Sequence, residues 1–545
     1  MQEIELKFLV PELRLKGLMR QAKVKSSQVT QMAAHYYDTP DQQLAQAGIG
    51  LRIRLEGNTW VQTIKAGGDG IAARLEHNST LDNEQVQAML DNNDLMPDLS
   101  IYKDTAIAPA LADFKLKKLA KKLTRLYVTD VERTTRLLIE AGSNEIDVSD
   151  NSIEVAYDHG EIIHGGDDTQ RDAIQEIEFE LVSGDLDFLF ATAKTWCKRY
   201  KLCLSTVTKA ERGGLLIKGQ HHSPATSANL SELNINKDSS MPAFLRAVVH
   251  NCLLQILPNS SAIVGGSTDH EHVLQLYIGI CRLRTALTAF ASLSDEVNPD
   301  WLLIIKQTAT LLSDYYDLSY LATHIEPMLQ QHGAPMVDWT ADVGAIKTTP
   351  IDAVSANDFQ LTLLELIAFT MSDPSLEPQA DKTALDHLTK ILSKQQAKFL
   401  KTEERLNDVI NAKPDSDSLD STRSDSTRSD STSADSKNIG LKNNDKYQAQ
   451  QQLHYQLNNL RYIGELSAPL YGKKKTKRWL KRVVKAQKLL GKQVDMTYYQ
   501  QCYQYKAITD PNALYGTGWF AANLKDDSKR LQKRLGRIQD CATFW

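Results

Sequence analysis

Two stretches far apart in this chain each carry a ladder of carboxylates. In Glu3-Ile4-Glu5-Leu6-Lys7-Phe8 charged and apolar residues alternate, so an extended backbone turns Glu3, Glu5 and Lys7 to one face and Ile4, Leu6 and Phe8 to the other. Glu176-Ile177-Glu178-Phe179-Glu180-Leu181 repeats the pattern late in the same half. One charged strand face is usually just solvated. Two carboxylate ladders brought close repel unless cations neutralise them, and hard divalent ions with oxygen ligands, Mg²⁺ or Mn²⁺, are the natural partners. Opposite charge follows the same alternation: Arg52 and Arg54 share a face with Leu51, Ile53 and Leu55 opposite, Lys65 ends the next run, and Arg133 lies in a later one. Inward carboxylates mixed with inward Arg and Lys make a poor core but a good lining for a polyanion held with metal. Phosphate oxygens accept forked contacts from Arg and point-charge contacts from Lys. A barrel with a polar interior lets many strands contribute in this way.

The elements that must position these residues fill roughly the first 218 positions. Alternation predicts strands near 3–10, 50–55, 59–65, 128–139, 153–157 and 175–182, with helices near 13–21 and 84–92. The texture then changes. A polar linker is expected over 219–240, and beyond it Val273, Leu276, Tyr277, Ile280, Leu283, Leu287 and Phe290 recur at three- and four-residue steps, as on one helix face. The fold class expected is α+β: a strand-built domain at 1–218 and an all-α domain at 241–545. Within the latter, 413–446 is expected to be a disordered insertion, because its Asp, Ser, Thr and Arg repeats offer almost nothing apolar to offset ordering entropy.

Composition narrows the function. A formal net charge of −5 over 545 residues argues against a general nucleic-acid binder. No apolar run is expected to span a membrane, and the opening strand lacks the basic head and apolar stretch of a secretory signal. Six cysteines without a C-x-x-C pair fit a reducing compartment rather than a zinc or disulfide framework. A cytoplasmic location is expected.

Glu3-x-Glu5-x-Lys7 resembles the opening signature of the CYTH, or triphosphate tunnel metalloenzyme, superfamily. Tyr36-Tyr37-Asp38-Thr39, Leu51-Arg52-Ile53-Arg54, Lys65 in Thr63-Ile64-Lys65, Arg74-x-Glu76, the stretch Glu154 to Gly160 around Asp158, Glu176-x-Glu178-x-Glu180, and Ser205 to Lys209 follow in the family's order. The resemblance implies an eight-stranded antiparallel β-tunnel that holds a triphosphate lengthwise. By that analogy Lys7, Arg52, Arg54, Lys65, Arg133 and Lys209 contact phosphate, Glu3, Glu5, Glu176 and Glu178 hold Mg²⁺ or Mn²⁺, and Glu76 and Asp158 support metal or water in catalysis. The implied reaction is hydrolysis of inorganic triphosphate to pyrophosphate and phosphate. Adenylate cyclase, thiamine-triphosphatase and a non-catalytic polyphosphate binder are the alternatives.

The helical part resembles a CHAD domain, a paired helical bundle that binds polyphosphate, in the stretches 275–287, 314–321, 460–462 and 481–491. It departs from that pattern at Leu274, Tyr277 and Cys281, at Tyr316 of the pair Tyr316-Asp317, and at Gln451, His454 and Asn458, where the family has cationic residues or histidine. The apolar skeleton survives while much of the phosphate-binding chemistry does not. One basic helical face remains, bearing Lys474, Lys477, Arg478, Lys481, Arg482 and Lys485; it is either a solvated helix face or an anchor for polyphosphate or another acidic partner.

Overall fold

The computed structural model describes residues 2–22, 26–67, 71–92, 94–140, 151–411, 445–524 and 528–545. The insertion expected at 413–446 lies outside the described residues as far as residue 444.

Eight antiparallel strands form the first part: β1 (Gln2–Leu9), β2 (Gln28–Asp38), β3 (Gly50–Glu56), β4 (Thr59–Gly67), β5 (Ala73–Thr80), β6 (Thr124–Ile139), β7 (Ser152–His164) and β8 (Arg171–Ser183). They pair in the order β5-β4-β3-β2-β6-β7-β8-β1, and β1 returns to β5 through Glu3↔Arg74, so the sheet closes on itself. A two-residue strand, β9 (Cys203–Leu204), pairs with the far end of β1. Alternation in the sequence marks six of the eight. It passes over β2, whose first half is largely exposed while Tyr36, Tyr37 and Asp38 are all buried, and β5, whose one large apolar residue is Leu75.

The ring is apolar outside and charged inside. Leu6, Phe8, Ile153, Val155, Ile177 and Phe179 are buried on its outer face. Phe179 packs edge-on against Phe8 and against Trp196 of the helix Leu186–Tyr200, with ring centroids 5.6 Å apart in each case. Helices cover that wall, so the apolar side of each strand must turn outward. The alternate residues therefore face the bore. A second cluster, including Leu51, Ile53 and Ile64, packs with Val86 of the helix Asn83–Asp91 on the opposite wall.

The outer core does not stop at the domain boundary. It continues from Phe8 and Phe179 into Phe244, Leu245 and Val248 of the helix Met241–Val264. That helix packs with His270–Phe290, and His270–Phe290 with Asp300–Tyr320; Asn357–Met371 lies against the first of these and against Leu186–Tyr200 of the ring. A second group joins Ala384–Asn411, Asp445–Ser467, Lys473–Lys506 and Ser528–Gln539. The expectation that no apolar run is long enough to cross a membrane needs correcting. Met241–Val264 and His270–Leu293 qualify by length and composition, but 72% and 56% of their apolar windows are buried inside the protein, as in core helices of a globular fold.

Candidate active site

The bore encloses a cavity of about 1110 Å³. Every residue assigned from the sequence to the triphosphate site lines it except Glu176, which is fully buried and reaches the site through Lys209. Register explains the convergence. Across neighbouring strands Lys7 lies opposite Glu178, Glu5 opposite Glu180, Arg133 opposite Asp158, and Lys65 opposite Glu76.

Lys209 is the one predicted ligand that no barrel strand supplies. It opens the helix Lys209–Ile217, whose first turn is capped by Thr208 accepting from the Glu211 N–H. That helix packs against β6, β7 and β8, and its Gly213 lies so near Tyr127 that a Cβ would stand 2.1 Å from the ring. The Lys209 ammonium then sits 2.6 Å from Asp158, 2.5 Å from Glu176 and 2.8 Å from Glu178. Arg133 donates Nε and Nη2 to the two Asp158 oxygens at 2.7 and 2.6 Å, and also pairs with Glu178. Burial alone would raise Asp158 and Glu178, but Lys209 and Arg133 hold both below the usual carboxylate range. The reciprocal attraction overcomes burial in Lys209 and lifts it well above an ordinary lysine.

Asp158, Glu176 and Glu178 bring carboxylate oxygens within 4.8 Å of one another. Such a set of hard oxygen donors fits a divalent cation of the Mg²⁺ type. Glu3 and Glu5, expected to share the metal with Glu176 and Glu178, stand in other groupings. Lys65 Nζ lies 2.7 Å from Glu3 and 2.9 Å from Glu76. Burial, the hydrogen bond to Glu76 and, against the pull of Lys65, the charge of Glu5 push Glu3 up to about 8. Glu76 is buried as well, yet that same hydrogen bond, Lys65 and Arg52 hold it down at about 2. The two carboxyls are pushed in opposite directions, Glu3 upward and Glu76 downward.

Glu5, Glu180 and Glu154 form a third grouping, directly opposite one another on β1, β8 and β7. Burial first, then Glu5, Glu154 and Glu76 against the opposing charge of Lys65, push Glu180 up to about 7. Glu180, Glu154 and Arg74 line the cavity, although the sequence reading gave them no role. The inward phase of the ladders, already visible in Glu176-x-Glu178-x-Glu180, was the signal for Glu180.

Cations crowd the other wall. Arg54 pairs with Glu56 and is pulled down to about 10, chiefly by burial and then by Arg52. Against burial and Arg133, Arg52 is held charged by Tyr36 and by the nearby charge of Glu76. Its Nη1 donates to Tyr36 Oη at 3.4 Å, and its Nε is buried without a hydrogen bond. Burial would raise Tyr36, but the guanidinium beside it brings the phenol below its ordinary value. Lys7 is lowered, mainly by burial, and donates to the Val207 carbonyl.

Comparison with known proteins agrees with this geometry. Residues 1–213 match the model of the CYTH domain and residues 247–504 that of the CHAD domain. The chain joins a CYTH domain to a CHAD domain. An inorganic triphosphatase of Haemophilus influenzae is 31% identical over 222 residues, covering 40% of this chain and 55% of that protein. The chain thus matches little more than half the length of that curated relative. The crystal structure of a CHAD domain from the plant Ricinus communis is 19% identical with a TM-score of 0.43, covering 59% of this chain and 98% of that one. A putative adenylyl cyclase from Hippeastrum, whose structure reveals a dominant triphosphatase activity, is 17% identical with a TM-score of 0.26, covering 40% of this chain and 96% of that one.

In the CHAD domain the surviving basic face is exposed at Lys474, Lys477, Arg478, Lys481 and Lys485 of the helix Lys473–Lys506. The helix Ser528–Gln539 packs beside it and adds Lys533 and Arg537, the carbonyl of the latter accepting from Arg482. His454, where the family pattern has a cationic residue, is lowered to about 4 by burial and is neutral at physiological pH.

Proposed function

We propose that the CYTH domain binds inorganic triphosphate along the bore and hydrolyses it to pyrophosphate and phosphate with Mg²⁺ or Mn²⁺. One observation carries the reading: Arg52, Arg54 and Lys65 face one cavity whose other wall holds clustered carboxylates. Cations and carboxylates lining one bore suit a polyanion held with metal, and a polyphosphate oxygen is the partner that guanidinium geometry favours. The 31% identity to an inorganic triphosphatase supports the same class of chemistry.

In this reading Arg52, Arg54, Lys7, Lys65, Arg133 and Lys209 grip phosphate oxygens, while Glu176, Glu178 and Asp158, with Glu3 and Glu5 beyond them, supply the metal ligands. A divalent ion held there would neutralise phosphate charge and lower the pKa of bound water. Water adds to a terminal phosphorus as the bridging P–O bond breaks, and the pyrophosphate leaves with that electron pair. Glu76, ionised, orients Lys65. Glu180, whose proton affinity lies nearest neutrality, is the carboxylate best placed in pKa to take the proton from water. Six free cysteines accord with a reducing, cytoplasmic setting, and the exposed lysines of the CHAD domain are the surface proposed to meet polyphosphate.

Purified protein incubated with tripolyphosphate, ATP or thiamine triphosphate plus Mg²⁺ or Mn²⁺ tests this. Phosphate released from tripolyphosphate alone is expected. Cyclic AMP formed from ATP would make the protein a cyclase, and binding without turnover would make it a polyphosphate-binding protein.

A further inference from the structure

The segment that delivers Lys209 to the bore is tied to the CHAD domain as well as to the barrel. From Leu204 to Val207 the chain bonds alternately to the two sides. Leu204 N–H donates to Gln360 Oε1 at 2.7 Å, and Thr206 N–H donates to Ser261 Oγ at 3.0 Å. Between and after these, Ser205 N–H donates to the Lys7 carbonyl at 2.9 Å, and the Val207 carbonyl accepts the Lys7 ammonium. Thr208 then caps the helix that Lys209 opens.

Both CHAD-domain groups are themselves held. Gln360 Nε2 donates to the Val354 carbonyl at 2.6 Å, which fixes its Oε1 toward Leu204. The Ser261 hydroxyl donates to the Leu257 carbonyl at 2.7 Å, leaving its lone pairs for the Thr206 N–H. Gln360 is 1% and Ser261 3% exposed, so water cannot readily replace either, and an amide stripped of its partner in such a place must move to find another.

We infer that Ser261 and Gln360 are positioning residues for the tunnel: they fix segment 203–209 so that the Lys209 ammonium stands over Asp158, Glu176 and Glu178. The inference rests on the phosphate-gripping role proposed above for Lys209. It makes the CHAD domain part of the apparatus that sets triphosphate affinity, whatever that domain binds on its own surface.

The test uses full-length Ser261→Ala, Ser261→Thr and Gln360→Ala, with Lys194→Ala as control. Lys194 pairs with Glu365 at 2.7 Å across the same domain interface but belongs to a different element from segment 203–209. Loss of one hydrogen bond at the anchor is expected to raise KM for tripolyphosphate about three- to tenfold. The expected pattern is a raised KM with kcat nearly unchanged in Ser261→Ala and Gln360→Ala, recovery in Ser261→Thr, and no change in Lys194→Ala. Gln360→Ala decides the matter if Ser261→Ala does not fold. Unchanged KM in the folded variants, or an equal rise in Lys194→Ala, overturns the inference. If the wild type hydrolyses no tripolyphosphate, the proposed function fails, and amide hydrogen exchange of residues 203–209 decides the inference instead. Protection lost in Ser261→Ala and Gln360→Ala but kept in Lys194→Ala upholds it, and unchanged protection overturns it.

Discussion

Replacing Lys209 by Met removes the ammonium that three buried carboxylates share while keeping the length and apolar stem of the side chain. Asp158, Glu176 and Glu178 would then face one another with Arg133 in contact and Lys7 nearby as the remaining cations. Removing one partner of a buried ion pair costs about 3–5 kcal/mol, and in a domain of this size each kcal/mol moves the unfolding midpoint by roughly 2–4 °C. A fall on the order of 6–20 °C is expected near pH 7.5 in EDTA. The pH dependence has a definite sign. In the wild type, Asp158 and Glu178 are held below their unfolded values, so their contribution is present above those values and lost as pH falls through the folded ones. In Lys209→Met they are raised instead, the native state takes up protons, and acidification restores stability relative to wild type. Added Mn²⁺ should do the same at neutral pH, by about 2.7 kcal/mol at a hundredfold excess over its dissociation constant. Thermal unfolding followed from about pH 5 to 8, with EDTA or Mn²⁺, reads all three effects. A variant as stable as wild type in EDTA, or a gap that widens on acidification, would refute the assignment of Lys209 as counter-charge.

Two further outcomes follow from the opposite walls of the bore. Arg52→Gln removes a guanidinium that lines the bore; it should weaken tripolyphosphate binding by about ten- to a hundredfold in calorimetry, with little loss of thermal stability. Glu180 is raised from 4.5 to about 7, so the native state binds the extra proton between those values and its stability falls as pH rises through that window. Glu180→Gln should remove that decline, visible as a flatter unfolding midpoint between pH 4.5 and 7, and should suppress turnover near neutrality more than it weakens binding.

The sequence displayed the charge pattern better than the scaffold that carries it. Alternation in Glu3 to Phe8 and in Glu176 to Leu181 sufficed to turn the carboxylates one way, because outward Ile, Leu and Phe leave a strand no other choice. It could not show β2 and β5. Strand β5 carries Arg74, Glu76 and Asn78 with only Leu75 as a large apolar neighbour, and its strand character comes from pairing with β4 and β1 rather than from its own residues. Nor could it sort the carboxylates into groups. Glu3 falls in with Glu76 and Lys65 while Glu178 falls in with Asp158 and Lys209, a partition set by register between strands far apart in the chain. The anchoring of Leu204 and Thr206 by Gln360 and Ser261 was equally invisible, since two ordinary polar residues in apolar helices carry no spacing that points across a domain boundary.

Because β1 is bonded to β8 on one side and to β5 on the other, the described strands form an unbroken hydrogen-bonded ring with no seam to admit a chain at its middle. Whatever enters must be threaded tip first. On the proposed function, a bulky group attached at one end of a triphosphate would be left at the mouth. The hydrogen-bonded ring thus makes shape, ahead of charge, the first gate on what this protein can grip.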